Sequence, residues 1–201
     1  MSGAIPTREV ARRVFAAEFN DATHTFRESD NERAPIYLLL PTGARANRVM
    51  VAGTLTEKDN IGDDSEYWRG RVVDPTGTFF AYAGQYQPEA AAALREIEPP
   101  AYVTIVGKPR TYDPEDSEDI LVSVQPESVS VVTAATRDRW VVETAEQTLD
   151  RIEGFAPEAS SYAAMAQERH EPVLETYRNQ VISALESLDT AEPAASPAVE
   201  S

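Results

Sequence analysis

Two strand-like stretches of the sequence carry basic residues at alternating positions. Arg69 and Arg71 lie in the first stretch, Lys108 and Arg110 lie in the second, and Tyr112 follows two positions later. Because successive side chains of a strand point to opposite faces, each pair of cations shares one face. Cations beside an exposed aromatic ring can contact phosphates while the ring stacks on a base, which is how single-stranded nucleic acids are held.

An aromatic hairpin lies between these stretches. The segment GRVVDPTGTFFAYAG, residues 70–84, reads as two short strands joined by an Asp-Pro-Thr-Gly turn. Because side chains alternate along a strand, Phe79 lies on one face and Phe80 and Tyr82 lie on the opposite face. We predict that Phe80 and Tyr82 fill a barrel interior and that Phe79 lies outside with the cations. The alternative is a solvated face on which each cation pairs with a neighbouring carboxylate.

The elements that position these residues follow a regular order. An Ala-rich segment, QPEAAAALREIEPP, predicts a short helix between the third and fourth of five strands. This is the layout of an OB-fold barrel, whereas a generic β-sandwich or an SH3-like barrel does not expect that helix there. The fold class is therefore mainly β with α extensions. Strands are predicted at about 48–58, 66–73, 78–83, 101–110 and 120–132.

Helical patterns flank the predicted barrel. Residues 6–19 read as an amphipathic N-terminal helix that Thr7 caps. The segment RDRWVVETAEQTLDRIEGF predicts an amphipathic helix, and the helical stretch after it splits near Glu171 because Pro172 lacks an N–H. The predicted segments are an N-terminal helix with a lead-in strand (1–47), the OB-fold domain (48–133), the amphipathic helix (134–155), a C-terminal helical region (156–188) and a disordered tail (189–201).

The composition is strongly acidic. The 201 residues include 34 acidic and 18 basic ones, giving a net charge of −16, and only Lys58 and Lys108 are lysines. This balance is typical of halophilic proteins, while an ordinary acidic protein is the alternative. In molar salt the Debye length is only about 3 Å, so net charge does not argue against a nucleic-acid partner. Without a long apolar run or a signal-peptide pattern, we expect a cytoplasmic location and no membrane contact.

Residues for catalysis are scarce. The chain has no cysteine, which excludes disulfides and thiol chemistry, and its two histidines, His24 and His170, are far apart in sequence. Acidic clusters at 59–64 and 113–119 lack the spacing of a calcium-binding loop. No phosphate-binding loop or nucleophile elbow is present. We expect no enzymatic activity, no cofactor and no metal, with a metal-dependent enzyme as the outlying alternative.

Four stretches carry a resemblance to a known family: VMVAGTLTEKDN, GRVVDPTGTFFAYAG, AYVTIVGKPRTY and TAEQTLDRIEGF. In order and spacing, residues 49–155 resemble the OB domain and following helix of the middle subunit of replication protein A (RPA). The whole chain resembles the haloarchaeal RPA-associated proteins. The resemblance implies a non-catalytic subunit or partner of an RPA-type single-stranded DNA-binding complex in replication and repair. The alternative is an assembly factor that binds an RPA-like OB-fold protein and never touches DNA.

The resemblance also implies roles for particular residues. It places a basic residue and a stacking aromatic at Arg110 and Tyr112. Where the family has a second stacking aromatic, this sequence has Gly84 and Gln85, with Tyr86 next to them. The amphipathic helix resembles the one by which RPA subunits assemble, which implies a hetero-oligomer, whereas packing back on the barrel is the alternative. The residues that would face a partner helix are Val141, Ala145, Leu149 and Ile152.

Overall fold

The computed structural model describes residues 8–189. Nine strands and five helices lie within this range. They are β1 (Arg12–Arg13), α1 (Ala16–Asp21), β2 (Thr25–Phe26), β3 (Tyr37–Leu40), β4 (Ala44–Ala46), β5 (Val49–Asn60), β6 (Trp68–Asp74), β7 (Gly77–Ala83), α2 (Pro88–Glu96), β8 (Ala101–Tyr112), β9 (Leu121–Val131), α3 (Ala134–Glu153), α4 (Ser161–His170) and α5 (Leu174–Asp189). Thr7 and residues 190–201 of the predicted tail lie outside the described residues, while Asp189 is the last residue of α5.

Strands β5 to β9 close into a barrel. β5 pairs antiparallel with both β6 and β8, and β6 pairs antiparallel with β7. β7 pairs in parallel with β9, and β9 returns antiparallel to β8, which completes the ring. A bulge between Leu55 and Glu57 lets the long strand β5 bend so that it joins both sides. With α2 between the third and fourth barrel strands, this is the predicted five-stranded OB-fold barrel.

The N-terminal segment differs from the prediction. The expected helix over 6–19 is wrong for residues 8–15, which contain no helix and include the short strand β1, and α1 covers only Ala16–Asp21. The reason is tertiary: β1 pairs in parallel with the start of β5. The extended path also carries Phe15 into the core, where its ring meets the edge of Trp140 with centroids 5.5 Å apart. Pairing and burial thus outweigh the local helical pattern.

Asp74 joins this segment to the aromatic hairpin. Its carboxylate accepts hydrogen bonds from Ala16 N at 2.8 Å, Thr76 N at 2.6 Å, Thr76 Oγ1 at 2.7 Å and Gly77 N at 2.9 Å. The first of these bonds satisfies a free N–H at the start of α1. Burial raises the pKa of the Asp74 carboxyl, against the lowering effect of its hydrogen bonds. One side chain therefore fixes the turn and positions the helix above it.

The amphipathic helix α3 packs on its own chain. Val141, Ala145 and Ile152 are buried, and the partly buried Leu149 packs against the same core. The prediction that these four residues face a partner helix is therefore wrong, and the alternative of packing back is correct. The physical reason is that α5 lies against α3 and contributes Val181 to the core. The place of a partner helix is taken by a helix of the same chain.

The remaining helices fit the sequence pattern more closely. α4 ends at a left-handed Glu171, with φ of 45°, directly before Pro172, and α5 follows. The N-terminal segment, the barrel, α3 and α5 contribute to one hydrophobic core. The boundaries of the predicted segments stay predictions. None of the helices in residues 8–189 is both long and apolar enough to cross a membrane.

Candidate nucleic-acid interface

A groove of about 400 Å³ lies between the start of α2 and the β8–β9 hairpin. It brings together three of the predicted site residues, Tyr86, Lys108 and Arg110. We call it the cationic groove, because its charged lining residues are three cations and two carboxylates: Arg8, Lys108, Arg110, Glu89 and Glu127. A positive excess at this place stands out in a chain whose net charge is −16.

The two cations from β8 owe their exposure to strand alternation. Gly107 and Pro109 point inward and are buried, while Lys108 and Arg110 point outward and are exposed. Within residues 8–189, no carboxylate lies within 4 Å of either cationic group as an ion pair. Among the described residues, Arg110 donates only to the carbonyl of Pro109, at 3.2 Å. Both charges are therefore available to an anion.

Glu127 forms the far wall of the cationic groove. Its Oε2 accepts from Arg8 and from Arg48, each at 2.6 Å. Burial raises the pKa of Glu127, but the hydrogen bond from Arg48 and the charges of Arg48, Arg8 and Lys108 bring it below its ordinary value. The carboxylate is thus ionised and held by arginines, so it opposes an incoming anion less than a free carboxylate would.

The two predicted stacking tyrosines lie at different places. Tyr86, 85% exposed, stands in the wall of the cationic groove. Tyr112, 63% exposed, lies directly opposite Leu121 at the mouth of the β8–β9 loop and does not line the groove. Both rings have a free surface, but only Tyr86 adjoins the unpaired cations within one cavity.

A second groove, of about 320 Å³, adjoins the first. We call it the polar groove. It shares Tyr86 and Gln87 with the cationic groove, so Tyr86 stands between the two. Its lining residues are Gly62, Asp63, Ser65, Glu66, Tyr67, Gly84, Gln85, Tyr86 and Gln87.

Tyr67 and Tyr82 form an aromatic pair at the polar groove. Their ring centroids are 5.9 Å apart and the planes differ by 23°, so the rings stack. Gly84 supports this arrangement, because a Cβ at that position would lie 2.8 Å from Cδ2 of Tyr67. Sequence reasoning missed this pair, although the parity that Tyr67 shares with Arg69 and Arg71 was a usable signal.

The prediction of which face of the aromatic hairpin is buried is wrong. Phe79 is fully buried and its ring lies 5.4 Å from that of Phe19 in α1. Phe80 and Tyr82, expected inside, are only partly buried. Each pairs directly across from an arginine of β6, and opposite residues of an antiparallel pair share a face. The outer face of the hairpin therefore carries Phe80 and Tyr82, not Phe79.

Arg69 and Arg71 lie on this outer face as predicted, but each has a carboxylate partner on β5. Arg69 contacts Asp59 at 3.0 Å, and Arg71 lies 4.0 Å from Glu57. The Asp59 hydrogen bond raises the pKa of Arg69. Both pairs agree with the alternative of a solvated, charge-paired face. Exposed ion pairs of this kind are weak because solvent screens them, so an anion can compete for either arginine.

Other chemistry-bearing residues lie away from both grooves. His170 places Nε2 3.0 Å from the Leu39 carbonyl oxygen, and burial lowers its pKa. Burial and the Arg169 charge lower the pKa of His24. In the part of the chain that the structure describes, no three acidic or histidine residues form a group able to hold a metal ion.

The closed barrel with α2 between its third and fourth strands defines an OB-fold protein. No protein-family model and no curated protein matches the sequence. The chain is similar to one from a replication protein A heterotrimer bound to ssDNA: 14% identity, TM-score 0.49, covering 71% of this chain and 98% of that one.

Two further solved structures are similar over smaller parts. The second single-stranded DNA-binding protein (SSBb) of Mycobacterium smegmatis is 17% identical, with a TM-score of 0.36, over 43% of this chain and 86% of that one. Asparaginyl-tRNA synthetase of Pyrococcus horikoshii, complexed with asparaginyl-adenylate, is 13% identical, with a TM-score of 0.40, over 62% of this chain and 23% of that longer one. The fold assignment rests on the strand order, and these similarities assign no activity.

Proposed function

We propose that this protein binds single-stranded DNA as a non-catalytic subunit or partner of an RPA-type complex in DNA replication and repair. The observation that carries this proposal is the cationic groove, where unpaired Lys108 and Arg110 adjoin the exposed ring of Tyr86. OB-fold barrels hold single strands by combining such cations with stacking aromatics. We place its action in the cytoplasm as part of the same proposal.

Each group has a distinct part in binding. Lys108 and Arg110 contact phosphates, and Tyr86 stacks on a base between the two grooves. The Tyr67–Tyr82 pair offers a second stacking surface, and Arg69 lies directly opposite Tyr82 to extend it. A DNA strand bound by these groups would run from the β8–β9 hairpin over Tyr86 to the outer face of the β6–β7 hairpin.

The acidic composition shapes the salt response. At low salt the charge of −16 repels a polyanion over the long Debye length, about 30 Å at 0.01 M. At 1 M that length is about 3 Å, so repulsion is screened. Base stacking, worth about 1–3 kcal/mol per base, does not depend on long-range attraction. Binding that relies on base stacking is therefore suited to concentrated salt. The acidic composition is also typical of proteins that work in concentrated salt.

One observation favours a second function, an assembly factor without DNA contact. Arg69 and Arg71 both pair with carboxylates of β5, which removes two of the predicted cations from immediate use. In that case the protein would bind an RPA-like OB-fold protein, and a hetero-oligomer would form through another surface than the buried face of α3.

A binding titration separates the two functions. The measurement is fluorescence anisotropy of a labelled oligothymidine. Its length, about 15 nucleotides, is enough to fill the site of one OB fold. We expect saturable binding from about 0.1 to 1 M KCl, where the Debye length falls from about 10 to 3 Å. Tyr86→Ala should weaken binding about 5- to 150-fold, equivalent to the loss of one stacked base.

A control on a distant surface tests whether losing a cation weakens binding only when that cation lies in the groove. The double variant Lys108→Ala/Arg110→Ala removes two cations from the groove, and Arg139→Ala removes one from the exposed surface of α3. We expect the double variant to weaken binding about tenfold at moderate salt and Arg139→Ala to leave it unchanged. Absence of wild-type binding at every salt concentration would overturn the DNA proposal and leave the assembly function.

A further inference from the structure

The polar groove has a different charge from its neighbour. Among the described residues, its lining includes two carboxylates, Asp63 and Glu66, the amides of Gln85 and Gln87, and two tyrosine rings, but no lysine or arginine. A phosphate placed there would meet the Asp63 carboxylate and no cation from the lining. A neutral, flat ring would instead meet stacking surfaces and hydrogen-bonding groups. The two grooves are thus suited to different parts of a nucleotide.

Asp63 is the free acceptor of the polar groove. Glu66 is held by Arg95, whose Nη1 lies 2.8 Å from its Oε2. Within residues 8–189, the exposed carboxylate of Asp63 forms no ion pair or side-chain hydrogen bond. The side-chain oxygen of Gln87 accepts from Gly84 N at 3.1 Å. The amide nitrogen of Gln87 therefore remains a donor within the same groove.

Carboxylate acceptors discriminate between bases. Cytosine carries an amino group at C4, which donates to a carboxylate, whereas uracil and thymine carry a carbonyl oxygen there. That oxygen would face the Asp63 carboxylate acceptor to acceptor, with no hydrogen to share. The two tyrosine rings stack equally well on either pyrimidine, because stacking is tolerant of sequence. Any discrimination would therefore come from the polar groups.

We propose that the polar groove is a base-selective subsite, in which Asp63 accepts a hydrogen bond from the exocyclic amine of a base such as cytosine. This inference rests on the proposed DNA-binding function and specifies which part of the strand each groove takes. Phosphates lie over Lys108 and Arg110, and an amine-bearing base enters between Tyr67 and Tyr86. Bases with a carbonyl at the corresponding position bind less tightly.

The test compares oligodeoxycytidine with oligodeoxyuridine, about 15 nucleotides each, in competition against a labelled strand at pH 7.5. These homopolymers differ at the C4 substituent and N3 and share the absence of a methyl group. We expect the full chain to bind oligodeoxycytidine about three- to tenfold more tightly, which is the typical net value of one hydrogen bond. Asp63→Asn should reduce this ratio towards one.

The neighbouring Asp64 provides the matched control. It is exposed, its replacement Asp64→Asn changes the net charge equally, and it does not line the polar groove. The inference predicts an unchanged ratio in this variant. Equal affinity of the wild type for both oligonucleotides, or an equal effect of both substitutions, would overturn the subsite while DNA binding stands. Failure to bind either oligonucleotide would overturn the proposed function and the subsite together.

Discussion

Replacing Gly84 with alanine should move one aromatic ring and little else. The backbone at Gly84 does not adopt the left-handed conformation that favours glycine, so alanine fits it without backbone strain. The added Cβ would lie 2.8 Å from Cδ2 and 3.3 Å from Cε2 of Tyr67. Tyr67 is 41% exposed and can move outward. The substitution thus displaces half of the Tyr67–Tyr82 stack without opening the core.

The size of the effect follows from these distances. The ring has to move by about 0.7 Å to reach an ordinary carbon–carbon separation of about 3.5 Å. Complete loss of a stacking ring costs about 1–3 kcal/mol, so Tyr67→Ala sets the upper limit at about 5- to 150-fold weaker binding. A displaced ring keeps part of its contact. We expect Gly84→Ala to weaken binding about two- to fivefold, less than Tyr67→Ala does.

Fluorescence anisotropy with a labelled oligothymidine measures this change. The control is Gly77→Ala, at the start of β7, the strand that Gly84 directly follows. A Cβ at Gly77 meets its nearest atom, Cβ of Ala16, at 3.6 Å, an ordinary contact. Gly77→Ala should therefore bind like the wild type. If Gly84→Ala also binds like the wild type, while the ring resonances of Tyr67 show that it has moved, the stack takes no part in binding and our reasoning is wrong.

Three further predictions concern the fold. Asp74→Ala leaves buried donors without their acceptor, and we expect urea denaturation to show a loss of about 3 kcal/mol in the free energy of unfolding, absent in Asp64→Ala. Burial lowers the pKa of His170 below its ordinary 6.5, so the unfolded chain takes up a proton first. Stability is then full above pH 6.5 and lost as the pH falls through the folded pKa. When thermal denaturation is measured at a series of pH values, His170→Gln should reduce the loss of stability below pH 6.5. Val181→Asp buries an unpaired charge between α3 and α5 and should lower the free energy of unfolding by about 3 kcal/mol or more. Sedimentation velocity should show Val181→Asp as an expanded, unfolded chain. A compact, folded chain that has only lost a partner would contradict this prediction.

The barrel could be predicted because its information is local. Turn residues delimit each strand, and the Ala-rich helix before two prolines marks the connection from the third to the fourth strand. The exposed positions of Lys108 and Arg110 follow from the same alternation. Alternation assigns residues to two faces but does not say which face is inside. In the hairpin, the pairing of β6 with β7 and the ring of Phe19 make that choice.

The other errors also concern distant partners. Residues 8–15 follow a helical pattern, yet the start of β5 pairs with Arg12 and Arg13 as a strand. The apolar positions of α3 repeat at helical spacing whether their cover comes from another chain or from α5. The ion pairs of Arg69 and Arg71 depend on the register that sets them against Asp59 and Glu57. Local pattern shows what a segment can bury, whereas pairing and packing decide what buries it.

The position of α5 also bears on the synthesis of the protein. The barrel strands and α3 precede α5 along the chain, yet the core they share includes Val181 and Ala184 of that helix. At about 5–20 residues per second, the stretch from Trp140 to Asp189 takes roughly 2–10 s to translate. Until α5 has been made, the side of α3 that faces it has no cover, although the barrel side of α3 can already pack. The shared core is therefore completed only when the last described helix is present.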